Sequence, residues 1–325
     1  MPFGEGLKMK REETQLADKK EHKRETRGGN NPSTQVAGQA TLWPIQPPSV
    51  PKPTAGGNEK TVSVTSADTE SHLPKQVGAR REKSVIQDLL VPEGLLAAKL
   101  SLDAVTLDDL QRKLETNLRQ NSSETRQRYA QSILKWFFPD GLDGIARKVW
   151  TAYRDDRIES DILRHLYLSS EPIMGACVAD ALFPLQEGII IPAGYFDRFL
   201  RDYLDAEPPP KTRKRVKMNL VKLGFLTPAR GAGHRLNPIN PTKTAFFVLL
   251  HHLLAPVQPR TIELRHLFTN PFWKYLGFKS EDAVRGVLRE ANASGLLGKY
   301  VVADQLEQIT TCLTLGDILS RGVRL

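Results

Sequence analysis

From Pro208 to Arg235 the chain reads PPPKTRKRVKMNLVKLGFLTPARGAGHR, a stretch with many basic residues and no acid. Three prolines stop whatever precedes it, since proline starts a helix but does not continue one. Placed at 100° per residue, Val216, Leu220 and Leu223 share one face, the i, i+4, i+7 spacing of a stripe that packs on a core. Lys211, Lys214, Arg215, Lys217 and Lys222 spread over the opposite half, with Arg213 in the same run. Met218 and Val221 also fall on the basic half, so the amphipathic pattern is imperfect. Gly224-Phe225-Leu226 reads as a helix end running into a short strand, and Arg230, His234 and Arg235 surround a Gly231-Ala232-Gly233 tip. A basic helix followed by a basic hairpin is the pattern of the third helix and wing of a winged helix-turn-helix. Double-stranded DNA is the expected partner. The plain alternative is a solvated helix face, but such faces mix both signs because like charges repel at i, i+4. An acid-free patch is easier to explain when phosphates supply the missing charge.

The whole chain supports that expectation. Its 325 residues are enough for two or three domains, and 46 Lys and Arg against 37 Asp and Glu leave a net charge of +9. The two cysteines, Cys177 and Cys312, are far apart and lack the spacing of a zinc site or a disulfide framework. Both read as buried thiols in a reducing compartment. The longest apolar run, Ala245 to Val257, is broken by His251 and His252 and is shorter than the about 20 residues a bilayer requires. With no apolar N-terminal segment of the secretory kind, a cytoplasmic protein without a membrane partner is expected.

The composition divides the chain. Residues 1–83 contain few large apolar side chains, and Trp43-Pro44-Ile45-Gln46-Pro47-Pro48 typifies a segment expected to be a disordered leader. Residues 84–207 read as a helical core. Val85, Leu89 and Leu90 begin one helical pattern, and Leu107, Leu110, Leu114 and Leu118 form another behind Thr106 as N-cap. Ser122 or Ser123 opens a helix through Trp136-Phe137-Phe138 that stops at Pro139-Asp140-Gly141. Further helices carry Ile145 to Tyr153, Ile158 to Leu168, Met174 to Leu182 and Phe196 to Leu204, with Gly188 to Pro192 as the strand-like interruption. Residues 208–237, the basic helix and wing, complete the core. Residues 238–325 are expected to repeat the plan: Phe246 to Leu254, Ile262 to Phe268 and Ser280 to Asn292 as helices, then Tyr300-Val301-Val302 and Ile309-Thr310-Thr311 as a hairpin with its tip near Asp304-Gln305. The expected fold class is therefore mainly α, a helical bundle with a winged helix-turn-helix and a second winged-helix-like C-terminal module. The third helix of the second module mixes Lys279, Arg285 and Arg289 with Glu281, Asp282 and Glu290, which suits packing or protein docking better than DNA.

No catalytic constellation stands out. There is no phosphate-binding GxxxxGK[ST] loop, no GxGxxG after a strand and no HExxH. His251 and His252 point about 100° apart on a helix and cannot clamp one metal. Asp108-Asp109 and Asp155-Asp156 occupy polar helical or turn positions. The expectation is a non-enzymatic protein with no metal and no cofactor.

Three passages resemble the BrxA family of BREX bacteriophage-exclusion systems. They are Arg119 to Ala130, a polar cap before a Thr/Arg-rich helix, Ser169 to Met174 with Val178-Ala179, a helix junction before a buried helix, and Thr212 to Leu226, a closing helix and Gly-aliphatic turn. The resemblance covers about Ser84 to Arg235, and the leader and the region after Pro238 extend beyond it. It implies a DNA-binding component of a phage-defence locus that acts beside a methyltransferase, an ATPase and a phosphatase-like protein.

The expected DNA contacts are Lys211, Arg213, Lys214, Arg215, Lys217 and Lys222 along the groove, with Arg230, His234 and Arg235 on the backbone. Arg126, Arg128, Lys135, Lys279, Arg285 and Arg289 are secondary candidates. About six neutralised phosphates set a salt slope of roughly −5. Asn219 is the one amide positioned to read adenine edges, so sequence specificity is expected to be weak. Two other readings stand beside this one: an assembly adaptor whose basic face meets an acidic partner protein, and a winged-helix transcription regulator or replication initiator.

Overall fold

The computed structural model describes residues 87–231, 233–304 and 306–325. The leader expected over residues 1–83, with Trp43, lies outside them, as does Val85. The described residues belong to one compact unit, mainly helical, with two small three-stranded antiparallel sheets.

The helical core is built around α5 (Asp156–Ser170), which packs against α1 (Val91–Leu100), α3 (Ser123–Phe137) and α4 (Ile145–Tyr153), while α2 (Leu107–Asn117) closes on α1 and α3. Ile158, Ile162, Leu163, Leu166 and Leu168 are all buried, so α5 is apolar around most of its circumference and needs neighbours on several sides. Side-chain caps set the helix starts. Thr106 accepts from the Asp109 amide at 3.1 Å and Ser122 from the Thr125 amide at 3.1 Å, both as the sequence pattern predicts. Asp155 caps α5 and Asp156 pairs with Lys99 at 2.9 Å, which accounts for that carboxylate pair structurally. One start differs from expectation. Leu89 and Leu90 are buried ahead of α1 rather than inside it, because Pro92 occupies the first turn and the helix begins at Val91.

After α6 (Pro172–Ala176) and a π-helical turn over Cys177–Leu182 come β1 (Ile190–Ile191), α7 (Tyr195–Leu204), α8 (Pro210–Lys222), β2 (Leu226–Pro228) and β3 (His234–Leu236). The sheet order is β1-β3-β2, with Arg235 opposite both Ile190 and Thr227. The Tyr195 hydroxyl donates to the Ala181 carbonyl at 2.7 Å and ties α7 to the π-helical turn.

The next segment follows a similar order, with three helices instead of two between its first and second strands. It runs α9 (Lys243–Leu254), β4 (Thr261–Glu263), α10 (Leu264–Thr269), α11 (Phe272–Leu276), α12 (Glu281–Ala293), β5 (Leu297–Ala303) and β6 (Leu306–Thr311), with sheet order β4-β6-β5. The two helix-to-strand junctions match. Gly224 (φ +84°) and Gly295 (φ +72°) stand after the helices, and the following amides of Phe225 and Leu296 reach back to Leu220 and Ala291 at 3.0 and 2.9 Å. One expectation is corrected here: Ile262 to Phe268 is not a single helix. Ile262 pairs opposite Ile309 in β4 and the helix starts only at Leu264, so tertiary strand pairing overrides the apolar spacing. A last helix, α13 (Leu315–Arg321), begins at a reciprocal Thr314–Asp317 capping box.

One cluster of buried side chains runs from Leu89 to Ile318. Its polar seam is Asp161, which accepts from the amide and hydroxyl of Thr242 at 2.7 and 2.8 Å and pairs with Arg164 at 2.7 Å. That one carboxylate joins α5 to the start of α9. His251 packs with its Nδ1 2.9 Å from the Phe247 carbonyl, and His252 is half-buried, in line with a packing role. Cys177 is buried, but Cys312 is exposed, contrary to expectation, because Thr311 takes the inward position at the end of β6. Among the described residues no group of His, Cys, Asp or Glu is arranged to hold a metal, and no helix is long and apolar enough to cross a membrane.

Candidate nucleic-acid interface

Helix α8 presents its apolar stripe to the core as expected: Val216 and Leu220 are fully buried, and Leu223 is buried at the C-terminal cap. Asn219 joins that buried face and is not exposed at all. Its Oδ1 accepts from the Leu89 amide at 3.0 Å, while Nδ2 donates to the Gln87 carbonyl at 2.8 Å and the Tyr167 hydroxyl at 2.7 Å. The amide holds the segment before α1 against α8 and α5, so it is not a reader of adenine edges. That corrects the sequence expectation, which placed Asn219 by angle and could not see its partners.

The exposed stripe of α8 is Lys211, Lys214, Met218 and Lys222, at spacings of three and four that put them on one side. Lys211 and Lys214 make no ion pair among the described residues. Lys222 is exposed along its length but donates to the Leu89 carbonyl at 3.0 Å. The remaining cations are less available. Arg213 lies 3.3 Å from Glu207, Lys217 3.6 Å from Asp197 on α7, and Arg215 3.9 Å from Asp88. The stretch has no acid of its own, yet three carboxylates from outside it fold back onto three of its six helical cations. The patch remains positive, and its charge without a side-chain partner or backbone acceptor is concentrated in Lys211 and Lys214.

The β2–β3 turn adds two more cations. Arg230 and Arg235 are exposed and make no ion pair among the described residues. Gly231 adopts φ +75°, and the Ala229 amide bonds the Gly233 carbonyl at 3.0 Å to close the turn. A side chain at Gly233 would strike Ile190 and the Ile191 carbonyl, so glycine lets the turn lie against β1. His234 is half-buried, and burial, with Lys217 next to it, lowers its pKa below the ordinary histidine value. Its ring therefore carries less positive charge than an exposed histidine would.

Between α8 and the sheet lies an open groove of about 570 Å³. Ala193, Pro210, Met218, Val221 and Pro228 supply its apolar lining, and Lys214, Lys217 and Lys222 stand around it. Met218 is 40% exposed, a large apolar side chain in the middle of a cationic face. The sequence signal for this feature is the pair of apolar residues that interrupt the basic half of the helix.

The secondary candidates do structural work where they stand. Arg126 donates to the Gln120 and Asn121 carbonyls at 2.7 and 3.2 Å, folding the loop before α3. Arg128 lies over the Tyr129 ring at 5.7 Å, and Lys135 is 3.7 Å from Glu171. Lys279 is half-buried, and burial lowers its pKa. Arg285 is held by Glu307, Glu281 and Asp282 at 2.8, 3.0 and 3.1 Å and lies over the Phe268 ring at 4.8 Å. Arg289 is exposed on α12 beside Tyr300. Comparison with protein-family models, curated proteins and solved structures gives no match for this chain.

Proposed function

We propose that this chain binds double-stranded DNA through α8 and the β2–β3 turn, as a winged helix-turn-helix in which α8 is the recognition helix. The order helix, strand, helix, helix, strand, strand and the sheet order β1-β3-β2 support that assignment. The carrying observation is that Lys211 and Lys214 on the helix and Arg230 and Arg235 on the hairpin remain exposed and without ion pairs among the described residues, although carboxylates neutralise their neighbours. Four such cations, two on α8 and two on the hairpin, can each replace a counterion on a phosphate. The segment from α9 to β6 is proposed as a second winged-helix-like module, built for packing or protein docking.

The test is fluorescence anisotropy of a labelled random duplex of roughly 30 base pairs, compared between wild type and Lys211→Glu/Lys214→Glu. Reversing two phosphate contacts is expected to weaken binding at least about tenfold per contact at constant salt. The fold should be unaffected, since both side chains are exposed. Equal binding by the variant, or none by wild type, contradicts the proposal.

A cytoplasmic, non-enzymatic role in a BREX-type phage-defence system, beside a methyltransferase, an ATPase and a phosphatase-like protein, is the part of the proposal supported by the BrxA-family resemblance alone. Phage plating on cells with and without the coding sequence tests it, and equal plating would count against it. The adaptor reading draws on one observation, the apolar groove among the cations.

A further inference from the structure

An apolar side chain at the centre of a phosphate-facing helix is unfavourable in water unless something apolar covers it. Met218 occupies that position on α8, with Val221 beside it and Pro210, Ala193 and Pro228 completing the groove. The one amide on the helix, Asn219, has its acceptor and both donors engaged inside the protein. The exposed face thus offers base edges lysines at its margins and apolar surface at its centre.

DNA presents one apolar group in its major groove, the C5 methyl of thymine. A 13-residue helix such as α8 is about 20 Å long and fits a groove about 12 Å wide. Lys214 at the edge of the apolar lining, with Lys217 and Lys222 beside it though engaged by Asp197 and the Leu89 carbonyl, keeps the rim positive, which suits a ligand that is anionic at its edges and apolar at its centre. We propose that Met218 and Val221 read thymine methyl groups in the major groove, so that this chain prefers A·T-rich duplexes over G·C-rich duplexes of equal length. The inference rests on the DNA-binding reading and specifies which bases α8 favours.

Uracil isolates the effect, because it keeps the base-pairing edge and the phosphate charge of thymidine and lacks only the methyl. The full chain is titrated by anisotropy with an A·T-rich duplex and with the same duplex carrying deoxyuridine at every thymidine position. Each covered methyl is worth about fourfold in affinity, so the uracil duplex should bind about four- to fifteenfold more weakly. Met218→Ala, at an exposed position, should lower that discrimination about fourfold, leaving the share read by Val221. Equal wild-type affinity for both duplexes overturns the inference and leaves DNA binding intact. Discrimination that is undiminished in Met218→Ala overturns the assignment to Met218. Binding to neither duplex overturns the DNA-binding reading itself and leaves the groove to an acidic, apolar-anchored segment of a partner protein.

Discussion

Helices α8 and α12 each lead into the closing hairpin of their segment, and their exposed faces are treated in opposite ways. Counting back from the capping glycines Gly224 and Gly295, Val216 matches Val287 and Leu220 matches Ala291, and all four are buried. The same count sets Lys214 against Arg285 and Lys211 against Asp282. In α8 the neighbour one turn earlier is another cation. In α12 it is an acid 3.1 Å from the arginine, joined by Glu281 from the first turn and Glu307 from β6. Hydrogen bonds to these carboxylates, that of Glu307 first, raise the Arg285 pKa above its ordinary value. Even the lysine facing this helix, Lys243, is paired with Glu290 at 2.5 Å. Two similar segments thus carry one helix with unpaired exposed lysines and one neutralised by acids of its own and of its hairpin. What separates them is whether the counter-charges lie within the helix and its own hairpin or arrive from elsewhere in the fold.

The comparison breaks most severely at Asn219, whose count-matched partner is the exposed Glu290. Asn219→Ala leaves the Leu89 amide, the Gln87 carbonyl and the Tyr167 hydroxyl without their partner. The expected cost is about 3 kcal/mol, read as a lower midpoint in urea with an unchanged slope. A loss below about 0.5 kcal/mol would mean that the amide does not hold the segment before α1 onto α8.

A smaller effect sharpens the contrast. Arg285→Ala removes a partly exposed ion-pair hub and its contact with Phe268, and should cost about 1 kcal/mol after solvent screening. DNA affinity should stay within twofold or so, because the proposed contacts lie on α8 and the β2–β3 turn. A marked loss of affinity would place α12 in the interface.

Much of this frame is legible in the sequence. Thr106, Ser122 and Ser280 announce their helices because a capping oxygen and its amide target are local. The buried faces of α8 and α12 follow from spacing alone, and the positive-φ glycines mark where the strands begin. Periodicity says which face is covered, not by what. That is why Asp88 and Asp197 could not be foreseen as partners of Arg215 and Lys217, whereas Glu207, just ahead of the three prolines, is a partner of Arg213 that lies near it in sequence. Ile262 misleads for the same reason, since its strand partner Ile309 lies far along the sequence. By contrast, α13 carries a local signal, Thr314 three residues before Asp317, that the apolar spacing alone overlooks.

The central claim is that exposed, unpaired cations of α8 and the β2–β3 turn bind DNA through its phosphates. Its most direct test is the salt dependence of duplex affinity, measured by anisotropy from about 50 to about 200 mM salt. With Arg213, Arg215 and Lys217 facing carboxylates, about four phosphates would be engaged, by Lys211, Lys214, Arg230 and Arg235. The predicted slope of log K against log salt is therefore about −4, shallower than the value of roughly −5 expected when six cations contribute. A slope near zero, or no binding at the lowest salt, would contradict the account.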